Sequence, residues 1–299
     1  MIRRMSGLSI CLAALPLVWG LSGCGGGGST PKKISTPTPP PTTTTNTPTP
    51  AGEKPADTGG GAPVAAGAEG WGTIKGQVVL DGEVPETKLL VKKGDQNAKD
   101  PAVCAVQDLP SEEFVVNKES KGIKWVLVYI GGTPKVHPDL AKAEGTAELG
   151  QKFCAFKPRL LAMRLGQKLL VTSEDSIAHN TKMDSLRNPP DNPTVPPAPE
   201  NGKSELAPKE LMSAELRPFP VQCGIHPWMR ANIAVIDHPY FAVTDENGNF
   251  EIKQVPAGAQ NLVMWQEAIG WGEGKGKGKE ITVKADDTTD LGKISLKLP

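Results

Sequence analysis

The sequence predicts an all-β protein, and three observations carry that reading. Short apolar runs separated by turn residues recur from Trp71 onward; apolar and polar side chains alternate with period two at both ends of that stretch; and helical periodicity is weak throughout. Residues 73–80 alternate, with Ile74, Val78 and Leu80 on one face and Thr73, Lys75 and Gln77 on the other, and Asp81-Gly82 turns the chain. The run 125–130 (WVLVYI) is continuously apolar, the pattern of a strand buried on both faces. Further strands are expected at 169–172, 231–236, 262–265 and 281–283. In the last strand Ile294, Leu296 and Leu298 alternate with Lys293, Ser295 and Lys297. A brief helical period is expected only at 206–214, and the Pro-rich stretch 188–220 as a long loop. Strands at this spacing imply sandwiches or barrels.

The first 70 residues read differently. Met1-Ile-Arg-Arg supplies a positive start, and residues 8–21 are apolar but too short to span a bilayer comfortably. The segment ends in Leu21-Ser22-Gly23-Cys24, which resembles the lipobox of bacterial lipoproteins. That resemblance implies a signal peptide over 1–23, cleavage before Cys24 and acylation of Cys24, with more than one chain for durable attachment. The same resemblance, with Gly25 rather than Asp after the lipid site, implies an outer membrane, so the expected location is the periplasmic side of a bacterial membrane or the cell surface. Residues 24–70 carry the lipid and then a Gly/Pro/Thr-rich linker with almost nothing apolar to bury, expected to be disordered. As a mixed flexible and extended tether it would reach roughly 40 Å on average.

Composition narrows the function classes. Lys plus Arg and Asp plus Glu are equal at 33 each, so no basic excess points to nucleic acid. The chain has only four histidines, His137, His179, His226 and His238. No Cys-x-x-Cys-His run occurs, which argues against covalent haem. The basic loop 274–279 reads as a solvated turn rather than a docking site.

Cys223-Gly-Ile-His226-Pro-Trp-Met229 places thiolate, imidazole and thioether on one short loop, which Pro227 would stiffen. A thiolate, two imidazoles and a weak axial thioether form the ligand set of electron-transferring blue copper sites. Taken singly, a Cys or Met is more often core filler and a lone His a surface residue; their joint spacing favours a metal. The loop, followed by an apolar strand, resembles the copper loop of cupredoxins, with the amicyanin pattern Cys-x-x-His-Pro-aromatic-Met. Phe156-Lys-Pro158, then residues 165–171, then His179-Asn180, 44 residues before Cys223, resemble the upstream part of the same family. The resemblance covers about residues 150–237 and departs from the family at the Pro-rich insertion. It implies one type 1 copper ion held by His179, Cys223, His226 and Met229, with His226 as the solvent-side electron port. It also implies that Asn180 hydrogen-bonds across to the cysteine loop; a turn-forming Asn is the alternative. Trp228 is either a cover over the copper or a packing residue. His137 and His238 each precede a proline and are expected at the surface.

With Cys11 in the signal, Cys24 lipidated and Cys223 on copper, Cys104 and Cys154 remain as an even pair outside the cytoplasm, expected as a disulfide rather than two buried thiols. No cysteine lies at Cys-x3-Cys spacing from Cys223, which argues against a binuclear centre.

Near the C-terminus, residues 244–258 carry a hairpin signature with Asn247-Gly248 at the turn and Phe250 and Ile252 alternating inward. This stretch and the opening GTIKGQVVLDGEVP resemble carboxypeptidase-regulatory-like (transthyretin-like) β-sandwich domains. The fold implied is a cupredoxin Greek-key β-sandwich over 111–238, combined with a transthyretin-like β-sandwich over 71–110 and 239–299. One enlarged sandwich with a shared core is the alternative.

The function implied is a non-enzymatic carrier of single electrons between redox proteins, attached to a membrane through its N-terminal lipid and without nucleic-acid partners. A copper carrier or store is one alternative. Another is an adhesion or carbohydrate-binding sandwich using Trp265 or Trp271, with incidental copper. Oxidases and nitrite reductases need further histidine-rich copper sites, which four histidines in one chain do not supply.

Overall fold

A computed structural model describes residues 69–299. The expected signal peptide, the expected lipidation at Cys24 and the linker up to residue 68 lie outside the described residues. The described chain is nearly all β, in several sheets, as the sequence predicts.

One core is built from two sheets. The first runs Lys182–Met183, Phe219–Gln222, Arg230–Ile236, Leu160–Arg164, the last pair being parallel. The second runs Ser204–Glu205, Lys168–Ser173, Thr146–Lys152, Ala155–Lys157, with Lys209–Glu210 also against Lys168–Ser173. Leu149, Phe156, Met163, Leu169, Phe219 and Ile233 fill the space between them, and Cys223 and Met229 belong to the same cluster.

A second core lies between the sheet Asn249–Pro256, Trp71–Leu80, Thr288–Leu296 and the sheet Phe241–Val243, Leu127–Ile130, Gly258–Gln266. Ile74, Val78, Val128, Ile130, Phe250 and Ile252 meet there. The alternation read in the first strand holds: Ile74, Val78 and Leu80 are buried.

A third apolar cluster joins the two. Leu127, Leu160, Ala234 and Ile236 pack with Tyr129, Phe241 and Trp265. This explains why two strands bury residues on both faces. In Arg230–Ile236, Ala231, Ile233 and Val235 face the first core while Ala234 and Ile236 face the joint. Likewise Val128 and Ile130 face the second core, and Leu127 and Tyr129 the joint. Arg159, 7% exposed, makes a two-pronged ion pair with Glu267 at 2.7 Å across the same joint.

Several expectations are corrected. Residues 206–214 form no helix: Leu206 bonds to the Val171 carbonyl and Lys209–Glu210 adds to the edge of Lys168–Ser173. Pro208 has no N–H to continue a helical ladder. The stretch 188–220 is not a plain loop, since Thr194–Val195, Ser204–Glu205 and Phe219–Gln222 all pair with the first core's strands or with the strand carrying His179. Asp245–Asn249 makes its turn, but not a hairpin: Phe241–Val243 and Asn249–Pro256 pair in different sheets, so the turn is a corner between layers. Gly248 is required there, because its φ is 77° and a Cβ would run into the Val78 carbonyl.

Packing also cuts across a boundary at residue 110. Leu127–Ile130 pairs within the second core's sheets, whereas Val91, Ala105 and Leu109 pack against Trp228 of the cysteine loop. Of the run 125–130, only Leu127–Ile130 is strand; Trp125 sits outside it with a φ of 62°. His238 is not at the surface: it is 4% exposed, accepts the Tyr240 amide on Nδ1 at 3.2 Å and stacks on that ring. His137 is partly covered, with its ring edge-on to Trp71.

Candidate metal centre

The cysteine loop is the connection of a β-hairpin. Gln222 pairs with Arg230, and residues 223–229 span the gap between their strands. Inside the loop the Met229 amide donates to the His226 carbonyl at 2.9 Å and the Cys223 amide to the Met229 carbonyl at 3.2 Å. Those bonds fold the loop inward, so Cys223, His226 and Met229 are all buried.

His179–Asn180 is brought beside this loop by register. Two residues on, Lys182–Met183 pairs with Val221–Gln222, so the chain carrying His179 runs alongside the strand that leads into Cys223. On its other side, Val195 and Thr194 of the Pro-rich stretch pair with His179 and Asn180. Asn180 reaches across: its Oδ1 accepts the Gly224 amide at 2.8 Å and the Ile225 amide at 3.3 Å, while its Nδ2 donates to Asn192 Oδ1.

Three donor atoms face one another. His179 Nδ1 and His226 Nδ1 are 3.0 Å apart, and Cys223 Sγ lies 4.0 and 3.9 Å from them. Metal–nitrogen and metal–sulfur bonds of about 2.0 and 2.3 Å, the values for zinc, would space such donors about 3.3–3.9 Å apart. The observed separations bracket that range, so these residues fit a single first-row ion. Met229 ends the same loop and is buried in the same core cluster as Cys223. His179, Cys223 and His226 form one of the groups among the described residues able to hold a metal. The other two such groups each include a cysteine of the Cys104–Cys154 disulfide.

The outward nitrogens are occupied. His179 Nε2 is 2.8 Å from Asp175 Oδ2, and His226 Nε2 is 2.9 Å from Asp100 Oδ2. A carboxylate on Nε2 keeps the proton there and leaves the Nδ1 lone pair for a metal. Asp175 also accepts the Phe153 and Cys154 amides at 2.6 and 2.8 Å. Burial raises its pKa, but the bonds to His179 and to these amides outweigh that and hold it below the usual carboxylate range. Burial pushes the Cys223 thiol up, yet the facing imidazoles and nearby backbone amides bring it down to about 5. Burial likewise lowers His179, but Asp175 and the Cys223 sulfur raise it to about 9. Both shifts favour charge separation between Cys223 and His179.

His226 is not solvent-facing. It is fully buried, under Asp100 and the segment that carries it. Trp228, half-buried, lies 5.4 Å from the His226 ring, donates Nε1–H to the Cys154 carbonyl at 3.1 Å, and packs on Val91, Ala105 and Leu109. Sequence reasoning missed both carboxylates. Asp100 is 126 residues from His226, and nothing in the local sequence of either Asp marks it.

No family model matches the chain, and no curated protein matches it. Among solved structures it is similar to a copper-containing nitrite reductase from Thermus scotoductus SA-01, at 16% identity over 35% of this chain, with a TM-score of 0.26. The chain spans 25% of that protein's length. It is similar to an amicyanin variant in the Cu(I) form, at 15% identity over 36% of this chain and 97% of that one, with a TM-score of 0.25. A purple cupredoxin from Nitrosopumilus maritimus matches at 16% identity over 31% of this chain and 99% of that one, with a TM-score of 0.23.

Proposed function

We propose that the chain holds one type 1 copper ion through His179, Cys223, His226 and Met229 and carries single electrons between redox proteins. The observation that carries this reading is the convergence of two Nδ1 atoms and one cysteine sulfur within 4.0 Å of one another in a buried pocket. Copper would supply a one-electron Cu(I)/Cu(II) couple at that point. The chain's own part is to keep the donors still. Asp175 and Asp100 grip the outer imidazole nitrogens, and Asn180 ties the two ligand segments together. Burial of all four side chains excludes water and leaves no solvent-facing position for a substrate, which favours a carrier over an enzyme. His137 and His238 lie away from the centre, bonded to Asp139 and Tyr240, and do not make a second histidine-rich site.

The same proposal places the protein on the periplasmic side of a bacterial membrane or at the cell surface, outer membrane favoured, held by lipid on Cys24. The transthyretin-like part then serves as the mount. Voltammetry of the copper-loaded protein, paired with Cu(I) competition against a chelator, tests the carrier role. Reversible one-electron waves with slow copper loss are expected. Ready Cu(I) transfer with poor reversibility would replace the carrier with a copper store.

A further inference from the structure

The contact of Asp100 with His226 comes from a segment unlike the rest of the site. Residues 89–110 leave the second core, run over the cysteine loop and return. Leu89–Val91 pairs with Leu109–Pro110 at the base of this strap, and Val91, Ala105 and Leu109 cluster against Trp228. The Cys104–Cys154 disulfide fixes its tip to the first core.

Asp100 stands at the head of the short helix Pro101–Cys104 in the left-handed region, with a φ of 53° and a ψ of 56°. That conformation is uncommon for a residue with a Cβ, though Asp tolerates it better than most. An Asp in this place ordinarily turns its carboxylate onto the free amides of its own helix. Asp100 makes no such bond; its Oδ2 lies against His226 Nε2 instead. Its backbone carbonyl accepts the Val103 and Cys104 amides at 3.0 and 2.9 Å, so its position is tied directly to the disulfide. Across the bridge, the Cys154 amide binds Asp175, which holds His179. One disulfide thus connects the outer partners of both histidines.

We propose that Asp100 is a positioning residue for His226, pressed onto the imidazole by a disulfide-held strap that closes the loop edge of the centre. This rests on the copper reading above. The carboxylate sets the imidazole's tautomer and angle, adds a negative charge beside the ligand set, and takes the place of solvent at the ring edge. A partner would then meet the strap and Trp228, not a bare imidazole.

The test uses the full chain with Asp100→Ala and Asp100→Asn, the second keeping an acceptor without the charge. Nitrogen-detected NMR of the metal-free protein reads exchange of the His226 Nε2 proton with water. It should be slow in the wild type and in Asp100→Asn, and faster by at least tenfold in Asp100→Ala. In the copper-loaded proteins, Cu(II) affinity should fall about 10–100-fold in Asp100→Ala and less in Asp100→Asn. The reduction potential should rise in both, because a negative charge that favours Cu(II) is gone. Unchanged ring-proton exchange in Asp100→Ala, or an unchanged potential in both variants with the copper colour intact, overturns the positioning role alone. A wild-type protein that forms no blue copper centre overturns the copper reading, and this role with it.

Discussion

At the scale of single residues, the pocket is strongly polarised before any metal enters. The Cys223 thiol, normally near 9.0, sits at about 5 in the fold, and His179, normally near 6.5, at about 9. Their effects on stability have opposite signs. The lowered Cys223 stabilises fully above its ordinary value, and that contribution is lost as pH falls towards about 5. The raised His179 stabilises fully below 6.5, and that contribution is lost as pH rises through about 9. Between 6.5 and 9 the two slopes cancel; between 6.5 and 5 only the loss from Cys223 remains. Burial also depresses the pKa of His238, which adds to the same loss. The unfolding free energy of the metal-free protein, from denaturant titration, should therefore be flat from pH 6.5 to 9 and fall by about 1–2 kcal/mol from 6.5 towards pH 5. Stability unchanged from 6.5 to 5 would contradict the ion pair. With copper bound, Met229→Gln should keep the colour and lower the potential, since a harder axial ligand favours Cu(II). An unchanged potential would remove Met229 from the ligands.

Among the elements, the strap and the disulfide matter most. Cys104 and Cys154 are 50 residues apart, and closing a loop of that length stabilises by about 4 kcal/mol in the chain-entropy account. Replacing both cysteines by Ala should lower the unfolding free energy by about 2–4 kcal/mol, measured by denaturant titration. The denatured, copper-free protein beginning at Trp71 should show one free thiol, Cys223; three would contradict the bridge. The cysteine loop was readable in the sequence because its donors fall within a few residues on one hairpin connection. His179-Asn180 was readable only through its likeness to a known pattern. The strap was not readable, because its meaning depends on Asp100 meeting a residue 126 positions away. For the same reason the Pro-rich stretch looked like a loop: its pairing of Val195 with His179 is a two-residue ladder, too short to leave a periodic signal.

Over the whole molecule, the strand content was legible and the partition was not. Alternation in Trp71–Leu80 and continuous apolarity in Leu127–Ile130 marked those strands correctly. Which core each strand serves depends on long-range pairing, so residues 89–110 and 127–130 fell on the wrong sides of an expected boundary. His238 was misplaced as well: its ring stacks on Tyr240, two residues on, and Tyr240 is itself fully buried in the second core. The Arg159–Glu267 pair couples loops leading from the two cores. Arg159→Ala would leave Glu267 without its partner and should cost about 2 kcal/mol, less than for a fully enclosed pair because Glu267 is 22% exposed. A change within measurement error would show that the third apolar cluster alone holds the cores together. The central claim is tested most directly by absorption and EPR spectra of the Cu(II)-loaded protein beside its Cys223→Ser variant. An intense thiolate-to-copper band with a narrow copper hyperfine splitting is expected, absent in Cys223→Ser and on reduction. A colourless protein with full copper occupancy would contradict it.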